Sequence, residues 1–163
     1  MRKMLALAST LLPALFAACS GQADETRNDP SGGAAMETVK DADMVIPLAV
    51  VGEKAIFLPA EILGTELEVI AVKAPDGTVR LAFNTCQVCY DSGHGYYKQE
   101  GGVLVCQNCG NRFSMDRVGR ESGGCNPVPI PRKYTTDDGT SITIPVDFLN
   151  EAQVIFSHWK NDY

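Results

Sequence analysis

The 163-residue chain carries 14 Lys and Arg against 20 Asp and Glu, a net charge of -6, with six cysteines and two histidines. A chain this acidic repels phosphate backbones, so nucleic acid is excluded as a partner. Two histidines leave little material for His-rich hydrolytic zinc chemistry, and the sequence holds no Ser/His/Asp set, paired-carboxylate site or phosphate-cradling glycine loop.

The first residues, "MRKMLALASTLLPALFAAC", combine a basic start, an apolar stretch and small residues running into a cysteine, which is the pattern of an export signal. The apolar run falls short of the roughly 20 residues a spanning helix needs. Its ending, Phe16-Ala17-Ala18-Cys19, resembles a bacterial lipoprotein signal, with Phe16 where Leu is usual. That resemblance implies cleavage after residue 18 and a lipid on Cys19; an ordinary cleaved signal is the plainer alternative. Residues 19 to 43 are polar, rich in Gly, Asp and Ser and without an apolar period, which fits a solvated tether behind the lipid. Such a tether reaches about 25 to 30 Å.

Residues 44 to 163 are expected to form one domain, with short apolar runs throughout. "MVIPLAVV" and "AIFLP" read as strands, and "ELEVIAVKAPDGTVRLAFN" as two alternating strands joined at Asp76-Gly77. "GGVLVC" is a further strand after a Gly-Gly turn, and "PRKYTTDDGTSITIP" holds two more around Asp138-Gly139. In the tail, Val146, Leu149, Ala152, Ile155, Phe156 and Trp159 suit a short amphipathic helix, with a helix followed by a strand as the alternative. The expected fold is mostly β: a small antiparallel sandwich or barrel with a metal-knuckle subdomain and a short C-terminal helix.

The chemistry concentrates in "CQVCYDSGHGYYKQEGGVLVCQNCG", where sixteen residues separate two Cys-x-x-Cys pairs. This spacing is a strong signal for a four-sulfur metal site made by Cys86, Cys89, Cys106 and Cys109. Two cysteines three apart turn their sulfurs to one side of a tight knuckle, and a second knuckle completes the tetrahedron or the cluster. Each pair follows a strand, which sets both knuckles at the same end of a sheet, and Gly110 can take the positive φ that aims backbone N–H groups at sulfur. Covalent haem is excluded, because Tyr90 and Gly110 stand where its histidine belongs. A thioredoxin-type exchanger needs a helix start after its pair, and neither "CYDSGHG" nor "CGNRFS" provides one. Disulfides remain open, since exported chains meet oxidising surroundings.

Cys125, in "GGCNPVPIP", reads either as a small apolar residue buried in a Gly/Pro loop or as a ligand or reserve thiol beside the site. His94 reads as a solvated loop residue, with a ligand or proton-coupled neighbour as the other reading. His158 and Trp159 read as packing.

"AFNTCQVCY", Gly95-Tyr96, "VCQNCGNRF" and "GGCNPVPIP" together resemble the FtrD-like family of membrane iron-sulfur proteins, found beside bacterial iron-transport components, over residues 44 to 156. The resemblance implies that Cys86, Cys89, Cys106 and Cys109 are iron-sulfur ligands. Long members carry a multi-helix membrane region ahead of this domain; none precedes it here, and the lipid on Cys19 is expected to take over the anchoring. Cys106-x-x-Cys109-Gly110-x-x-Phe113 and the Gly/Pro loop at residues 123 to 131 also look like the second ligand loop of Rieske proteins, with Cys in place of His. A [2Fe-2S] cluster with thiolates in place of imidazoles would have a low potential.

The export signal pulls the other way. "MRKML" has no twin-arginine motif, so export proceeds unfolded and a preassembled cluster would not survive it. Zinc or a single iron could bind afterwards. Two functions follow: a one-electron carrier serving an iron-transport or redox component of the envelope, or a zinc- or disulfide-held module that docks a membrane partner. Either faces the periplasm or the exterior.

Overall fold

The computed structural model describes residues 36 to 161. The signal, Cys19 and most of the tether lie outside the described residues. Eleven strands run in chain order: β1 Val39–Lys40, β2 Met44–Pro47, β3 Ile56–Ile62, β4 Thr65–Lys73, β5 Val79–Cys86, β6 Tyr97–Glu100, β7 Val103–Cys106, β8 Arg112–Ser114, β9 Pro127–Pro129, β10 Thr136–Asp137 and β11 Ser141–Ile144. A short helix, α1 Val146–Glu151, continues into a 3-10 turn over Ala152–Phe156. The tail is therefore helical, with no strand after it among the described residues.

The strands form three sheets. The central one has the order β1-β3-β4-β5-β9, antiparallel except for β1, which runs parallel to β3 through Val39 and Lys40 within the stretch read as tether. A second sheet, β10-β11-β2, and a third, β6-β7-β8, are antiparallel. The molecule is mostly β and sandwich-like, with no closed barrel among the described residues.

Side chains on a strand alternate between faces, and the central sheet uses both. Leu67, Val69 and Ala71 of β4 and Leu81 and Phe83 of β5 pack on one side with Met44, Ile46, Ile142 and Ile144 of the second sheet and with Leu149 and Phe156. Ile70, Val72 and Ala82 pack on the other side with Tyr97, Leu104, Phe113 and three cysteines. β4 and β5 are thus covered on both faces, which is why "VIAV" and "LAF" are continuously apolar. An alternating pattern, as expected for them, belongs to strands with one face in water.

Local chemistry sets the turns. Asp76 accepts bonds from the Thr78 amide at 3.0 Å and hydroxyl at 2.6 Å, and Gly77 takes φ 80°. Asp138 does the same for Thr140 and Ser141, ahead of Gly139 at φ 85°. The β3–β4 turn is less obvious: Leu63 and Gly64 both have positive φ, 49° and 80°. Asp43, just before β2, accepts a bond from the Val146 amide at 2.8 Å and so satisfies an N-terminal donor of α1.

Candidate metal centre

Two strands of different sheets each deliver a cysteine to the same place: β5 ends on Cys86 and β7 on Cys106. The sequence places both knuckles at the end of one sheet, and the structure revises this. The β6–β7 hairpin folds over the face of the central sheet, so the two strand ends converge across a layer boundary. A bulge between Phe83 and Cys86 breaks the β5–β9 register just before the first cysteine. Bulges re-aim side chains beside functional sites. Here the buried Asn84 accepts a bond from the Tyr97 amide at 2.7 Å and donates to the Tyr97 carbonyl at 3.2 Å, tying β5 to β6. The Asn84 carbonyl accepts the indole N–H of Trp159 at 2.7 Å, which fastens the C-terminal tail to the same strand.

Each knuckle has its own lock. Behind the first, the Cys86 amide donates to the Gly95 carbonyl at 2.6 Å and the Cys89 carbonyl accepts from the Ser92 amide at 3.0 Å and hydroxyl at 2.7 Å. Gly95 lies so close that a Cβ there would sit 2.2 Å from the Cys89 carbonyl oxygen. In the second, the Gly110 amide donates to the Cys106 carbonyl at 2.9 Å while Gly110 takes φ 72°, the positive value its position predicts.

The sulfurs of Cys86, Cys89, Cys106 and Cys125 all lie within 4.8 Å of one another. Cys109 is the exposed fifth sulfur, 2.9 Å from Cys125. Cys86, Cys89 and Cys106 are buried, whereas Cys125 is half-buried, 3.4 Å from Cys86 and 3.7 Å from the Tyr97 hydroxyl. All five are free thiols, and 2.9 Å is well beyond an S–S bond of about 2.05 Å. The loop bearing Cys125 is pinned to both knuckles: its carbonyl accepts from Asn111 Nδ2 at 2.7 Å, and the buried Asn126 donates to Gln87 Oε1 at 3.1 Å.

The protonation of these thiols follows their surroundings. Burial pushes Cys89 up to about 12 and raises Cys106 as well. Burial and the bond to Cys109 raise Cys125. Burial acts against the Cys86 thiolate, but bonds from Tyr97 and from the Val88 and Cys89 backbone outweigh it and hold its pKa down. The bond from Cys125 lowers Cys109 to about 7, so in that pair Cys125 keeps the proton. Metal binding to such a set must release protons.

The donor set suits a metal. Its members are thiols only, the ligand type of soft-metal and iron-sulfur sites. A tetrahedral ion at about 2.3 Å from each sulfur sets edges of about 3.8 Å, and a group spanning no more than 4.8 Å reaches that with side-chain adjustment alone. The family profile described as membrane iron-sulfur containing protein, FtrD-like, matches residues 50–156. The chain belongs to this family. No curated protein and no solved structure matches the chain. The FtrD-like domain thus joins a family named for iron-sulfur content and membrane location to a convergent cysteine site. Among the described residues, no helix is long and apolar enough to cross a membrane.

Of the four cysteines singled out by spacing, the compact group contains Cys86, Cys89 and Cys106, and Cys125 stands in it where Cys109 was expected. Cys109 borders the group through its contact with Cys125. His94 is exposed and outside the group. His158 bonds Asp91 at 2.8 Å on the surface, and Trp159 packs edge-on against Phe156. Asn84, Gln87 and Asn126 lie within the motifs "AFNTCQVCY" and "GGCNPVPIP", but nothing in the sequence assigned them or Tyr97 a role.

Proposed function

We propose that this chain is an envelope lipoprotein whose cysteine centre holds iron, as an iron-sulfur cluster or a single ion, and carries single electrons for an iron-transport or redox component of the envelope. The observation behind the reading is the convergence of five free thiols in a chain of an iron-sulfur family. Iron held by thiolates supplies a reversible one-electron couple, with a potential kept low by the absence of imidazole ligands. The chain's own residues supply the rest. Cys86, Cys89, Cys106 and one further thiol hold the metal, the buried three keep water from it, and the loop at Cys125 closes the site from the side. Cys109 brings one sulfur to the surface. A net charge of -6 favours encounter with a basic partner. A lipid on Cys19 and the stretch from there to the start of β1 at Val39 would hold the domain about 20 to 25 Å from the membrane.

Zinc is the second reading, favoured by the non-twin-arginine signal and by a sulfur group compact enough for one ion. In that case the chain is a metal-stabilised module docking a membrane partner. Metal analysis and visible spectra on natively exported protein separate the two. The electron-carrier reading expects about one iron centre per chain and visible absorption that bleaches with dithionite. Colourless, zinc-loaded protein removes it.

A further inference from the structure

Five sulfurs meet at a site that a four-thiolate centre fills with four. Three of them, Cys86, Cys89 and Cys106, are buried and held by strand ends and knuckle backbone. The remaining two, Cys109 and Cys125, sit 2.9 Å apart. That separation is about 0.9 Å shorter than the edge between two sulfurs on one tetrahedral ion, roughly 3.8 Å. The buried three leave a four-thiolate centre one corner to fill; Cys125 stands in the compact group beside them, and Cys109 is in contact with Cys125. Cys125 borders Cys86 at 3.4 Å, and Cys109 reaches the group through its contact with Cys125. Their backbones are coupled, because Asn111, two residues after Cys109, donates to the Cys125 carbonyl at 2.7 Å.

We propose that Cys109 and Cys125 share one ligand position and exchange in it. The inference rests on the reading of the site as a metal centre and concerns how that centre is entered and left. In the exchange, the Cys109 sulfur gives up its bond to the metal as the Cys125 sulfur forms one. The proton of the incoming Cys125 thiol passes to the outgoing Cys109 thiolate across their contact, so neither charge nor electron count changes. The exchange leaves Cys109 as a free thiol at the surface while the metal stays held by four thiolates, three of them buried. That geometry suits handover to an incoming soft ligand, such as a thiolate of a partner protein or chelator, because an exposed sulfur can leave without opening the buried shell.

Cobalt(II), whose visible bands and sulfur charge-transfer band count thiolates, is the probe. The test uses full-length protein, with peptide mapping to set Cys19 apart. Wild type, Cys109→Ser and Cys125→Ser should each bind one cobalt with the same four-thiolate spectrum, and the double variant should show a three-thiolate spectrum with affinity lower by about 10- to 100-fold. Iodoacetamide added to the loaded wild type should label one thiol per chain, divided between Cys109 and Cys125, while either single variant takes no label in the pair. Extraction by a chelator should be about tenfold slower in each single variant than in wild type. Circular dichroism checks that each variant is folded. The proposal is overturned if one single variant reproduces the double variant's spectrum while the other matches wild type, if the label falls on one position only, or if wild type binds no cobalt. Cobalt binding as expected in a protein that natively carries zinc would sink the electron-carrier reading and leave the exchange standing.

Discussion

The two faces of the central sheet are built from the same strands and held by different means. On one face, Leu67, Val69, Ala71, Leu81 and Phe83 close against aliphatic residues of the second sheet, the short helix and the ring of Phe156, 5.8 Å from Phe83. On the other, Ile70, Val72 and Ala82 meet a layer in which Tyr97, Leu104, Phe113, Met115 and Val118 pack together with the cysteine sulfurs. Hydrocarbon burial contributes about 25 cal/mol per Å² with or without a metal present. A sulfur cluster contributes fully only when its thiols are deprotonated onto a ligand. The domain therefore has a face that is stable by itself and a face whose stability is conditional.

Four variants test that difference, the largest effect first. Cys106→Ser should abolish metal binding and loosen the third sheet, because it removes a buried ligand at the end of β7; metal analysis and hydrogen exchange read both losses. Wild-type metal content in this variant would remove Cys106 from the ligand set. Leu149→Ala acts on the opposite face, at a fully buried side chain, and should cost about 2–5 kcal/mol with metal stoichiometry unchanged. A parallel loss of metal would show that the faces do not act separately. Gly95→Ala places a methyl against the Cys89 carbonyl and should destabilise by about 1–3 kcal/mol. Its damage should appear in metal affinity as well as in melting temperature, since the lock it disturbs belongs to the first knuckle.

The smallest effect lies away from both faces. Bonds from the Thr78 hydroxyl and amide hold the Asp76 carboxyl at about 2, below its ordinary value near 3.8. A carboxylate lowered on folding contributes its full stabilisation above the unfolded value and loses it as pH falls through the folded one. Acid unfolding monitored between pH 5 and 2 should therefore be less steep in Asp76→Asn than in wild type, with metal binding near neutrality untouched.

What could be read from sequence was what local chemistry decides. Asp76-Gly77 and Asp138-Gly139 announce hairpins because an Asx side chain and a positive φ act within four residues. Leu63-Gly64 hides an equivalent turn, since leucine rarely adopts φ 49° and offers no side-chain acceptor. β4 misled for a different reason: burial on both faces erases the alternation that marks a surface strand. In the same way the paired cysteines were legible because a knuckle is local. The place of Cys125 was not, because it depends on Asn111 and Gln87 holding a loop 14 and 39 residues away in sequence.

The chain has a single tryptophan, and its indole N–H is bonded to the carbonyl of Asn84, the residue whose side chain pins Tyr97 beside the sulfur cluster. Trp159 also lies edge-on to Tyr96, next to Tyr97 in the chain. Because the indole rests on the strand that ends at Cys86, tryptophan emission is expected to change when metal is added to the protein, which a titration without any added dye would read.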